Sequence, residues 1–190
     1  MTEHSIPASA TLARFTVQEF ETMIDAGVFA NHPRVELHEG VLVEMNSEYL
    51  PHARCKFQLA RHLADAIDAL GRIDLEVLTD VSISLSDASS TTPDVSVWRS
   101  DASSKLLPAD RALLVVEVAA TTLAVDLGYK VRRYAESGIA EYLVVDLAAG
   151  VLHRHARPAG GQFGDVEQVS MGASVTADIV PGLSILLPKY

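Results

Sequence analysis

One short run constrains this chain more than any other. Residues 112–118, Ala-Leu-Leu-Val-Val-Glu-Val, are apolar almost throughout and hold a single charge, Glu117. Strand length and the lack of polar alternation mark the run as a central β-strand buried on both faces. The carboxylate inside it is then the anomaly. An ionised acid in such a place is costly unless it is paired or binds a cation. The bland alternative is an ion pair with an Arg or Lys at the sheet edge.

The remaining segments supply neighbours for that strand. Thr16 followed by Glu19 has the form of a capping box, and Val17, Phe20, Met23 and Ile24 recur at helical spacing before Gly27. Residues 35–45 alternate as two short strands turning at Glu39-Gly40, a hairpin. Residues 51–70 predict the clearest helix, with Phe57, Leu59, Ala60, Leu63, Ala64, Ile67 and Leu70 as its apolar stripe and Gly71 past its end. Residues 75–78 and 81–85 read as strands and 87–92 as a Ser/Thr-rich loop. A strand opens at Pro93 and runs to Trp98, and residues 100–110 form another loop. Residues 127–137 predict a third helix ended by Gly138, 141–146 a second buried strand, and 151–155 a strand beside it after a turn at Gly150. Residues 166–187 give short β pieces punctuated by Pro181-Gly182. The order is α, β-hairpin, α, strands, α, strands, which is a mixed α/β domain around a central sheet. With 190 residues and no repeat or long linker, the reading is one domain over 14–190 behind a loose leader, 1–13.

Cys55 is the only cysteine, which excludes a disulfide within the chain and a Cys-based zinc or iron–sulfur centre. It reads as a small residue packed in a helix, and a reducing cytoplasm is the natural setting. No apolar stretch reaches the roughly 18 residues of a membrane helix, and the N-terminus lacks the basic start and apolar run of a secretory signal. The net charge of −10 argues against a protein that coats nucleic acid by bulk charge. It leaves room for an enzyme that acts on nucleic acid through a local basic groove.

Asp94 gives Glu117 a candidate partner. Taken alone, Pro93-Asp94 is a turn opening. If its strand pairs with residues 112–118, the two acids lie about 5 Å apart. One divalent ion then bridges both at roughly 2–2.6 Å. Asp126, Lys130 and Tyr134 recur at i, i+4 and i+8 on the helix that follows, so they share one face. Lys130 there can offset charge on a phosphate or orient a water; the bland reading is a surface Asp126–Lys130 pair. Arg132 and Arg133 extend this into a basic run, either a DNA-binding patch or a solvated helix face. His153 and His155 alternate on a strand that reads as solvent-facing rather than metal-binding. The chain carries no Gly-x-Ser-x-Gly elbow, no Gly-x-x-x-x-Gly-Lys loop and no Gly-x-Gly-x-x-Gly fingerprint.

Six segments in order, VELHEGVLVEM, PHARCKFQLARHL, TPDVSVW, LLVVEVAATT, VDLGYKVRRYAESGIAEYLVVD and PGLSILL, resemble the Uma2 family, also called DUF820, over residues 15–187. The resemblance implies the restriction-endonuclease-like PD-(D/E)XK fold: a mixed central sheet flanked by helices, with an N-terminal helix and β-hairpin. It implies Asp94 and Glu117 as ligands of Mg²⁺ or Mn²⁺ and Lys130 as the catalytic lysine, displaced to the helix because Ala119 stands at the usual position. Glu36, His52, Asp126 and Tyr134 match supporting positions. Thr92 replaces a common Gln, residues 120–122 replace a Ser-Pro-Ser stretch, and Val41 replaces the second acid of the hairpin. The implied activity is metal-dependent cleavage of phosphodiesters in nucleic acid, with DNA as the partner. The alternative is a catalytically silent nuclease-fold module for binding or assembly. A homodimer through edge strands is compatible with such a sheet, though no residue specifies one.

Overall fold

The computed structural model describes residues 11–32, 34–46, 48–100 and 105–189. The apolar run forms the strand Ala112–Ala119 (β8), in which every residue except Leu113 is buried. Its neighbours are Val95–Arg99 (β6), antiparallel, and Glu141–Asp146 (β9), parallel. Leu75–Thr79 (β3) continues the sheet beyond β6; Val151–Ala159 (β10) and Gln162–Ser170 (β11) continue it beyond β9. Burial on both faces is why β8 and β9 show no alternation. The parallel β8–β9 pair needs a crossover. It is supplied by a broken helix: Leu123–Val125 (α3), a π-helical turn Asp126–Lys130, and Val131–Glu136 (α4).

The helix Leu50–Ala69 (α2) covers one face. Its buried residues Cys55, Leu59, Leu63 and Ile67 form a ridge against Leu114, Val116 and Val118 of β8. Val175 of Ser174–Thr176 (β12) and Ile185 of Ser184–Leu186 (β13) belong to the same core. This ridge is rotated from the predicted stripe: Phe57 is 64% exposed and Leu70 39% exposed. Phe57 lies two residues from Cys55, about 200° around the helix, so both cannot face the sheet.

The other face packs Val115, Ala119, Tyr142 and Val144 against Tyr134 of α4 and Ile83 of a smaller sheet. That sheet comprises Val35–His38 (β1), Val41–Glu44 (β2), Ile83–Ser86 (β4), Ser89–Thr91 (β5) and Leu107–Pro108 (β7), in the order β2-β1-β5-β4-β7. The predicted loop 87–92 is therefore partly wrong: all three residues of β5 are buried, between β1 and β4. Its Ser and Thr side chains are small enough for that interior, and Thr91 Oγ1 lies 3.0 Å from the Tyr134 hydroxyl. The first helix, Val17–Asp25 (α1), has the predicted capping box, Thr16 with Glu19. Residues 11–13 carry no regular structure, and the remainder of the predicted leader lies outside the described residues. No described helix is long and apolar enough to cross a membrane. Cys55 is buried in α2, as its reading as a packed small residue required.

Candidate functional site

Strand alternation sets the site. Glu117 falls in step with Val115 and Ala119, so it faces the α3–α4 side. Val95 pairs with Val116, and Asp94 comes one residue before β6, at the position across from Glu117. Both acids line one small cavity with Arg34, Glu48, His52, Asp126 and Lys130.

Asp94 is 2% exposed. Its Oδ2 accepts the Val118 N–H at 2.7 Å and stands 3.1 Å from His52 Nε2. Arg34 Nη2 lies 3.6 Å from Oδ1. Burial pushes this carboxyl up, but His52, the Val118 N–H and Arg34 outweigh it and hold Asp94 below its ordinary value. His52 is raised in return: burial opposes its charge, and its bond to Asp94 overcomes that.

Glu117 is 4% exposed, and its Oε1 accepts from Lys130 Nζ at 2.8 Å and from the Tyr134 hydroxyl at 3.0 Å. Burial pushes Glu117 up to about 8 against the pull of Lys130, with Asp94, Asp126 and Glu36 adding to the rise. Lys130 is equally buried, with Nζ 3.5 Å from Glu36 and 3.7 Å from Asp126 as well. The three acids outweigh its own desolvation and keep the ammonium charged. The expected surface pair Asp126–Lys130 is thus a buried one. Both residues sit at the ends of the π-helical turn, a widened geometry that recurs at functional sites.

Glu36 of β1 reaches this cluster from the small sheet. It accepts the Thr92 N–H at 2.9 Å and lies 2.6 Å from His38 Nε2. Burial raises it, but Lys130, His38 and Thr92 prevail and bring it down to about 2. Glu36 and Tyr134 join the network behind Lys130 and Glu117 rather than on the cavity wall. All seven residues singled out in the sequence therefore belong to one connected cluster.

The sequence reading missed two members, Arg34 and Glu48. Arg34 Nη1 donates to Glu48 Oε1 at 3.0 Å, and Glu48 Oε2 lies 3.6 Å from His52 Nδ1. The four-residue spacing from Glu48 to His52 was the available signal. Arg132 and Arg133 are neither a free basic patch nor a purely solvated face. Both are paired with Glu39 and Glu136, and Arg133 stacks over Tyr129. His155 corrects another expectation: it is buried, with its ring 6.0 Å from Tyr142 and 5.8 Å from Phe163. Burial lowers its basicity, and Arg154 beside it turns in to Glu141.

The residues fit a divalent cation. Glu48, His52 and Asp94 each offer a ligand atom within 4.8 Å of the others, the one such trio among the described residues. Asp94 Oδ1, Asp126 Oδ1 and His52 Nδ1 are buried without a hydrogen-bond partner among those residues. The carboxyl groups of Glu36, Glu48, Asp94, Glu117 and Asp126 meet the cations of Arg34, Lys56 and Lys130 and the imidazoles of His38 and His52. Oxygen donors with one imidazole suit Mg²⁺ or Mn²⁺.

A mixed sheet with helices about it, an N-terminal helix and hairpin, and acids meeting at adjacent strand positions define a restriction-endonuclease-like fold. The chain belongs to the Uma2 family, whose model, described as "putative restriction endonuclease", matches residues 17–188. Among solved structures it resembles a "putative nuclease belonging to DUF820" from Anabaena variabilis ATCC 29413, with a TM-score of 0.61 and 13% identity. That match covers 78% of this chain and 86% of the other, and at this identity the likeness is one of fold. No curated protein matches the chain.

Proposed function

We propose that this protein is a metal-dependent endonuclease that hydrolyses phosphodiester bonds of nucleic acid, with DNA as the substrate. The observation that carries the reading is the pairing of Asp94 and Glu117 on one cavity, with the Lys130 ammonium bound to Glu117 at 2.8 Å. Asp94 and Glu117 would hold Mg²⁺ or Mn²⁺; Glu48 and His52, which line the same cavity, offer further ligand atoms within 4.8 Å of those of Asp94. Such an ion, when bound, supplies a Lewis acid for the scissile phosphate and lowers the pKa of a water.

The chain's own residues do the rest. The Val118 N–H and His52 fix the Asp94 carboxylate in one orientation. Lys130 and Tyr134 do the same for Glu117, and the buried ammonium offsets negative charge that grows on a phosphate in the transition state. Arg34, a quarter exposed at the cavity wall, is the cation nearest to solvent and suits a phosphate oxygen.

Cleavage of plasmid DNA with Mg²⁺ or Mn²⁺ tests the proposal: wild type cuts and Glu117→Ala does not. Equal cutting by both refutes it. The second reading, a silent nuclease-fold module, draws on the Lys130 ammonium being already shared among Glu117, Glu36 and Asp126. Calorimetry with Mn²⁺ separates the two. A binding isotherm that disappears in Asp94→Ala favours the enzyme, and no isotherm in wild type favours the module.

A further inference from the structure

A second, larger hollow of about 530 Å³ adjoins the acid cluster and shares Arg34 and Glu48 with it. This volume falls within the roughly 300–1,000 Å³ of ordinary small-molecule sites. Its wall is apolar and aromatic: Phe20 and Ile24 of α1, and Phe29 in the turn after it. The rings of Phe20 and Phe29 lie 5.5 Å apart with their planes at 50°. Its remaining lining is largely polar, with His32, Asp80, Ser82 and Thr92 among the groups able to donate or accept. Phe20 is itself 2% exposed and packs at a tilt beneath Phe29, so the half-buried Phe29 ring is the aromatic surface left to a ligand. One aromatic surface with a polar rim suits a heterocyclic base.

Charge supports this choice of ligand. Nucleic-acid affinity through phosphates depends on cations free to neutralise them. Here the net charge is −10, and the helical basic run of Arg132 and Arg133 is matched by Glu39 and Glu136, so it adds no net positive patch. Stacking of bases on aromatic rings is the other general source of affinity, roughly 5- to 150-fold per base. Arg34 stands where the two hollows meet: Nη1 on Glu48, Nη2 3.3 Å from the Thr92 carbonyl oxygen and 3.6 Å from Asp94.

We infer that this hollow is a base-binding subsite. It takes one unstacked nucleobase, while Arg34 guides the adjoining phosphate toward Asp94 and Glu117. The inference rests on the nuclease reading and adds a substrate class to it: single strands, or duplexes with unpaired bases, in preference to intact duplex.

The test is fluorescence anisotropy with a labelled oligonucleotide as a single strand, as a duplex, and as a single strand lacking bases, with Ca²⁺ in place of Mg²⁺. Wild type binds the single strand about tenfold more tightly than the other two. Phe29→Ala loses about tenfold on the single strand and little on the duplex. Phe29→Trp keeps the affinity, and its added emission is quenched by the single strand but not by the abasic one. This variant also guards against misreading a folding defect in Phe29→Ala. Equal affinity for all three ligands, or unquenched emission in Phe29→Trp, overturns the subsite. Cleavage in Mn²⁺ is measured in parallel. Cutting without preference for unpaired bases sinks the subsite alone; base-dependent binding without cutting upholds the subsite and sinks the nuclease reading.

Discussion

Replacing Lys130 with Met removes the ammonium shared by three buried acids, Glu117, Glu36 and Asp126. Lys130 is 1% exposed and lies 2.8 Å from Glu117, 3.5 Å from Glu36 and 3.7 Å from Asp126. The magnitude follows from Glu36. Its carboxyl stands at about 2 in the folded protein against an ordinary 4.5, although burial alone pushes it the other way. At about 1.36 kcal/mol for each tenfold change in proton affinity, this net shift is on the order of 3 kcal/mol of stability, with Lys130 the largest favourable contributor beside His38 and the Thr92 N–H. Breaking a buried ion pair from one side typically costs about 3–5 kcal/mol, which agrees. A depressed carboxylate contributes its stability above the unfolded value and loses it as pH falls through the folded one. The Lys130→Met penalty is therefore full at neutral pH and shrinks between 4.5 and about 2. Urea unfolding followed by emission from the buried Trp98 measures it directly. A loss below about 1 kcal/mol at neutral pH, or a loss that grows toward acid, refutes the reasoning.

Glu117 has the opposite sign. Raised by burial from 4.5 to about 8, it favours the fold below 4.5 and withdraws that support as pH climbs through 8. Glu117→Gln therefore gains stability relative to wild type as pH rises across this interval, and urea midpoints that converge instead contradict the assignment. Tyr134→Phe removes the hydroxyl shared by Glu117 and Thr91 and costs about 1–2 kcal/mol, read as a lower melting temperature; an unchanged one would remove the tyrosine from the network. Gly40 turns the β1–β2 hairpin at φ +81°, and an added Cβ would meet Arg14 Cβ at 2.7 Å. Gly40→Ala should cost about 1–3 kcal/mol, and more than Gly27→Ala, which has φ +70° but open space; equal losses in chemical denaturation would show that the contact is tolerated.

The part of the site that was legible in the sequence is the part set by short-range rules. Glu117 stood out because apolar burial on both faces of β8 makes any charge there anomalous. Asp126, Lys130 and Tyr134 were grouped by helical spacing, and the π-helical turn still keeps Asp126 within 3.7 Å of Lys130. Glu36 and His52 were found through the family resemblance, since nothing in their local pattern announces burial. Glu48 and Arg34 escaped because both flank regular elements, where no periodicity marks a side chain's direction. The strand Ser89–Thr91 escaped for a related reason. Its hydroxyls resemble loop chemistry, and only pairing with β1 and β4 makes their burial favourable. His155 was misjudged because alternation identifies a face without identifying what covers it. Here Tyr142 lies beside it on β9 and Phe163 comes from β11 on its other side.

Lys130 is also a mechanical joint. One end of its network is Glu36 in the small sheet, the other is Glu117 in the large one, and the ammonium fastens the two together. The fastening is needed for the fold whether or not the chain cuts anything. Selection for a folded chain is enough to retain both acids and the lysine, so a silent member of the fold would keep the outward marks of a nuclease.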